Sequence, residues 1–103
     1  MEKLEELCLG KNKISDINVL EQLNSKELKQ LDLTNNHISN IKILEKVNFK
    51  ELKDLDLSFN KIKDINILEK VKFEKLEKLG LFGNKIKDKS IISKLKLNNI
   101  IEL

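Results

Sequence analysis

One phrase recurs four times at a spacing of 24 residues: LEELCLGKNKI (4–14), LKQLDLTNNHI (28–38), LKDLDLSFNKI (52–62) and LEKLGLFGNKI (76–86). A period of this length marks an array of small units, each of which buries its apolar face against its neighbours instead of around a central core. An array also presents a long surface with few enclosed hollows, so binding is the expected activity before catalysis.

The apolar positions keep the period through the whole unit. Leu28, Leu31, Leu33, Ile38, Ile41, Leu44, Val47 and Phe49 have counterparts in Leu52, Leu55, Leu57, Ile62, Ile65, Leu68, Val71 and Phe73, which names the core from spacing alone. In Leu31-Asp32-Leu33 and its copies apolar and polar residues alternate with period 2, the pattern of a short strand with one buried face. Further on, Ile41, Leu44 and Val47 stand three apart, so a helical or 3₁₀ turn directs all three inward. Asn18 precedes Glu21, and Asn66 precedes Glu69, at the spacing of a capping box, which Lys42 interrupts in the second unit. Lys89 occupies the place of Ile17, Ile41 and Ile65, as suits a unit covered on one side only.

The phrase resembles the leucine-rich repeat, L-x-x-L-x-L-x-x-N-x-I, over nearly the whole chain. The second half of each unit, I-x-x-L-x-x-V/L, is similar to the intracellular, SDS22-like class, and LSFNKIKDINILEKVKFEKLEKLGLFGNKI (57–86) is similar to repeats of the acidic nuclear phosphoprotein 32 group, whose long acidic tail is missing here. The resemblance implies an α/β fold: a curved, right-handed leucine-rich repeat solenoid with short parallel strands on its concave face and short helices or 3₁₀ turns on its convex face. One domain over 1–103 is expected, with units at about 4–27, 28–51, 52–75 and 76–99 and a partial fifth at 100–103, where Ile100 and Leu103 stand 24 residues beyond Leu76 and Leu79. With Met1 three residues before Leu4 and the chain stopping inside a strand phrase, a fragment of a longer array is the expectation, its uncapped ends open to self-association.

Asn12, Asn36, Asn60 and Asn84 recur two residues before an isoleucine and in phase with the core leucines. An amide both donates and accepts, so an inward-turned asparagine satisfies backbone groups stranded where the strand bends away. These four are assigned to structure, as a ladder.

Composition narrows the rest. Lys supplies the basic side chains apart from one His, and 17 acids interleave with 20 lysines for a net charge of +3, too small and too mixed for a nucleic-acid face. No apolar run approaches the roughly 18 residues that span a membrane, and MEKLEEL lacks the apolar stretch of a secretory leader. The lone Cys8 pairs with nothing in the chain, which favours a reducing compartment, cytoplasm or nucleus. No metal or cofactor signature is present, none is expected, and the chain reads as a non-enzyme.

Partner recognition is expected on the concave face, where equivalent residues of adjacent strands form columns about 4.8 Å apart. One column is Glu6, Gln30, Asp54, Lys78; the next is Cys8, Asp32, Asp56, Gly80; the third is Gly10, Thr34, Ser58, Phe82; beside them run Lys11, Asn35, Phe59 and Gly83. Carboxylates at Asp32, Asp54 and Asp56 beside the rings of Phe59 and Phe82 suit a basic protein or peptide segment with an apolar anchor, and Gln30, Ser58 and Lys78 complete the candidate surface. Adjacent aspartates also suggest acid-base chemistry or a cation site, but a flat sheet encloses no pocket and supplies too few oxygens. Two alternatives to the interaction module remain open at this point: an assembly element joined through its ends, and a regulatory arm of a larger enzyme.

Overall fold

The computed structural model describes residues 4–22, 26–71 and 73–95, and 100–102 as backbone. Five parallel strands form one sheet in sequential order: β1 (Glu6–Cys8), β2 (Gln30–Asp32), β3 (Asp54–Asp56), β4 (Lys78–Gly80) and β5 (Ile100–Glu102). Each of the first four is followed by one 3₁₀ turn, at Asn18–Glu21, Lys42–Lys46, Asn66–Glu69 and Ser90–Lys94. The chain therefore winds as a solenoid, strand after strand and turn after turn. The turns are one unit's worth of helix and no more, because the chain must return to the next strand within the repeat.

The core lies between the sheet and the row of turns as one continuous cluster from Ile17 to Ile91. Leu31, Leu55 and Leu79 pair in register across β2, β3 and β4 and are sealed from solvent, with Ile38 and Ile62 behind them. Phe49 is buried near the return to the sheet and stacks on Phe73, ring centroids 6.1 Å apart. The main-chain ladder runs beyond the three-residue strands: Leu33 N–H donates to Asp56 O and Leu57 N–H to Gly80 O, at 2.9 and 2.8 Å.

Asparagines hold the bends between strand and turn. Asn36 Oδ1 accepts from the Asn12 and Ile14 N–H groups, both at 2.9 Å, while its Nδ2 donates to Leu9 O in the preceding unit and to Leu33 O and Thr34 O in its own. Asn60 repeats this one unit on, accepting from Ile38 N–H and donating to Leu33 O. Asn84 accepts from Ile62 N–H and donates to Leu57 O. Asn12, exposed at the first unit, donates to Leu9 O and Gly10 O of its own unit. Each later asparagine thus ties its unit to the one before it.

Two expectations change. The capping boxes do not form: the residues before the turns, Ile17, Ile41, Ile65 and Lys89, make no side-chain cap, and Asn18 and Asn66 are the first residues of their turns. Instead Asp16, Asn40, Asp64 and Asp88, again 24 apart, each accept the N–H two residues on, from Asn18, Lys42, Asn66 and Ser90 at 2.8 to 3.0 Å. The reason is that an isoleucine needed in the core occupies the capping place in three units, so the polar acceptor moves one residue earlier and forms an Asx turn. The interruption at Lys42 accordingly has no effect, because Asn40 does the work there.

The fifth strand also enters early. Ile101 pairs with Leu79 and Ile100 with Lys78, so the offset is 22 residues, not the 24 that Ile100 and Leu103 suggested. An even shift keeps the inward and outward faces of a strand unchanged, and so the period-2 pattern tolerates it. Leu103 and residues 96–99 lie outside the described residues.

Asn60 is 7 % exposed, and its removal strands the buried Ile38 N–H and takes from Leu33 C=O one of its two amide donors, leaving it Asn36 Nδ2. Asn60→Ala is expected to cost about 3 kcal/mol in denaturant unfolding, against about 1 kcal/mol or less for the exposed Asn12→Ala. Equal costs would mean the ladder does not carry the bends. At the last turn, the hydroxyl and N–H of Ser90 both donate to Asp88 and hold its carboxyl below the ordinary value of 3.8. A lowered folded value means that this support is present in full above pH 3.8 and is lost as pH falls below that through the lowered value. Protection of the Ser90 amide, its exchange rate taken relative to that of the unfolded chain at the same pH, is expected to fall on acidification below that point, while protection of the Lys42 amide, held by the uncharged Asn40, stays unchanged; Ser90→Ala is expected to return Asp88 towards 3.8.

Candidate functional surface

Parallel pairing in register converts the 24-residue repeat into columns on the outward face of the sheet. Gln30 stands beside Asp54 and Asp54 beside Lys78; Asp32 stands beside Asp56 and Asp56 beside Gly80. Gln30, Asp32, Asp54 and Asp56 are half-buried, and Lys78 is exposed. Parallel strands put such neighbours about 4.8 Å apart, so the three aspartates form a single acidic region.

Carboxylates of this region also bond within the fold. Asp32 Oδ1 accepts the Thr34 N–H at 2.9 Å and Asp56 Oδ1 the Ser58 N–H at 3.0 Å, so one oxygen of each closes the end of its own strand. Asp56 leans across to β4: a Cβ built on Gly80 would stand 2.9 Å from Asp56 Cγ and 3.0 Å from Ser58 Oγ. Glycine at 80 is thus the space into which the Asp56 carboxylate fits. Ser58 is 5 % exposed, and its hydroxyl accepts the Phe82 N–H at 3.1 Å. It braces the face from below and presents nothing to solvent.

Beyond the acids lie the two rings. Phe59 and Phe82 are 54 % and 53 % exposed, with ring planes 3° from parallel and centroids 6.3 Å apart, an offset stack. Leu4 and Val19 are also exposed, while the aromatic pair forms a contiguous apolar patch. Phe59 belongs to a column with a fixed backbone: Lys11, Asn35, Phe59 and Gly83 have φ of 59°, 55°, 58° and 66°. Left-handed backbone is undemanding for glycine and tolerable for asparagine, but costs a bulky residue about 1 kcal/mol. The Phe59 ring lies flat against Gly83, where an added Cβ would meet Cε1 at 2.8 Å and Cγ at 3.2 Å. Glycine at 83 therefore serves two ends, its own positive φ and the seat of the neighbouring ring.

Gly80 and Gly83 are the participants that sequence reasoning placed in columns without giving them a role. Their signal was present: each is a glycine at a place where other units carry a side chain. Its meaning depends on which neighbour leans over it, and that is a tertiary fact.

Elsewhere, His37 is exposed beside the array and Cys8 is exposed on β1. Among the described residues no three His, Cys, Asp or Glu side chains gather as a metal set, and no helix is long and apolar enough to cross a membrane. An open hollow of about 470 Å³ lies on the opposite side, between the second and third turns, lined by residues that include Asn40, Ile41, Asp64 and Ile67. A second, of about 360 Å³, runs from Phe59 and Phe82 over Leu81 and Ile86 to Lys89.

Known proteins share this pattern. The family described as "Leucine rich repeat" matches residues 26–86, and that described as "Leucine Rich repeats (2 copies)" matches residues 2–46. Among solved structures, an internalin from Listeria monocytogenes superposes with a TM-score of 0.52 at 23% identity, over 97% of this chain and 43% of that one. The chain thus spans less than half the length of that relative, and the likeness is one of fold. No curated protein sequence matches it.

The strain at Phe59 and the stack it makes are of similar size, about 1 kcal/mol each and opposite in sign. Phe59→Asn, the residue its column carries at Asn35, is expected to leave unfolding free energy within about 1 kcal/mol of the parent. Phe49→Ala, at a sealed core position, is expected to cost about 3 to 5 kcal/mol. A large loss at Phe59 would show that its ring is part of the core's support.

Proposed function

Because the chain belongs to the leucine-rich repeat family, we propose that it is a non-catalytic protein-interaction module that takes a protein or peptide, through a basic segment, on the open face of its sheet. The surface consists of Gln30, Asp32, Asp54, Asp56, Phe59, Lys78 and Phe82, with Ser58 beneath them. The observation that carries the reading is the pair of rings, both more than half exposed, on the same face as three half-buried carboxylates. Aromatic anchors beside charge give an interface its affinity and its register. A partner of positive charge is drawn by Asp32, Asp54 and Asp56, although the chain as a whole carries +3, because attraction over a few ångströms depends on local charge and not on the total.

A displayed library of random peptides, selected on the purified chain, tests this. Enriched peptides are expected to be basic with at least one apolar residue, to weaken as salt rises, and to lose at least tenfold in affinity to Asp54→Lys and to the double variant Asp56→Lys with Phe82→Ala. Circular dichroism of the variants guards against unfolding, since Asp56 also caps Ser58 N–H. Peptides of neutral or acidic character, or binders untouched by these variants, would overturn the reading.

A further inference from the structure

Neither backbone preference nor burial explains a phenylalanine at position 59: its φ is +58° and its ring is 54 % exposed. Its place is nevertheless carefully made, since Gly83 lacks the side chain that would displace the ring, and Phe82 stands parallel to it. The two parallel rings, each a little more than half exposed, form an apolar shelf open to solvent.

Resting on the interaction reading above, we propose that this shelf receives the guanidinium of an arginine in the partner segment, with the Asp56 carboxylate as its counter-charge. The chain of contacts supplies the geometry. Asp56 leans over Gly80, the last residue of β4, and Phe82 follows two residues on, at most roughly 7 Å along the chain and so within the reach of one long side chain. Ser58 joins the two, taking the Phe82 N–H on its hydroxyl while giving its own N–H to Asp56 Oδ1. That bond engages Oδ1 of the half-buried Asp56 carboxylate, which carries the counter-charge. On the far side of the rings the hollow runs to Lys89, so a cation approaches from the Asp56 side.

Ring faces attract cations, and a planar, weakly hydrated guanidinium lies flat on them where an ammonium keeps its water. Arginine is therefore favoured over lysine. An uncharged apolar anchor would suit the rings but gain nothing from Asp56, and an acidic one would be repelled.

The probe is an acetylated Gly-Arg-Gly amide, with counterparts carrying lysine or the neutral isostere citrulline, titrated into the full chain and followed by NMR. The arginine side-chain protons are expected to move upfield under the rings, with affinity about tenfold above that of citrulline and also above that of lysine. Phe82→Ala and Phe59→Asn are each expected to abolish the upfield shift while the chain stays folded, and Asp56→Asn to weaken binding several-fold. Equal response to citrulline, or a shift that survives loss of both rings, would overturn the proposal. So would ring signals that move with protein concentration alone, which would make a second copy of the chain the occupant. Basic library peptides that depend on Asp54 while the arginine probe leaves the rings untouched would remove the shelf and keep the interaction module; the reverse result would keep the shelf and remove the module.

Discussion

Every unit of this array depends on amides that satisfy the backbone where it turns a corner. Where strand gives way to turn, N–H and C=O groups lose their sheet partners inside an apolar core, and leaving them unpaired would cost several kcal/mol per unit. Asn36 and Asn60, 4 % and 7 % exposed, pair these groups, and do so across the boundary between units. Because the bonds run from one unit to the preceding one, each unit's bend is completed by its neighbour. That coupling makes the repeat cooperative, and it holds the strands in the register from which the surface columns follow.

The face follows from the ladder. Once strands pair in register, a residue type chosen once per repeat becomes a line across the molecule. The lines here are not uniform: the second column changes from Cys8 through two aspartates to Gly80, and the fourth from Lys11 and Asn35 to Phe59 and Gly83. Variation in an otherwise repeating frame is where individuality resides. Both glycines sit next to a side chain that crosses from the neighbouring unit, so the face is built from pairs in which one unit gives up its side chain to seat another's.

Much of the fold was legible in the residues because a 24-residue period names equivalent positions without any knowledge of distance. The buried leucines, the strand alternation and the columns all follow from it. The turn starts were misread for a local reason. Asn18 and Glu21 have capping-box spacing, but the box presumes a regular helix entered from a polar residue, and here Ile17 is committed to the core. Asp16, Asn40, Asp64 and Asp88 carried the true signal in their own period. The fifth strand was misplaced by two residues because alternation has period 2 and so matches itself after such a shift.

Sequence by itself determined that this chain is a stacked array, which side chains enter its core, where the asparagines recur and which residues share a column on the sheet, since all of these are consequences of periodicity. Tertiary structure alone decided what those residues do to one another: that Asp56 leans over Gly80, that Ser58 is consumed in bracing Phe82, and that Phe59 lies on Gly83 parallel to its partner ring. The physical reason is that spacing along a repeat specifies which residues are neighbours, whereas the direction of a side chain depends on backbone φ and on the volume its neighbours leave empty.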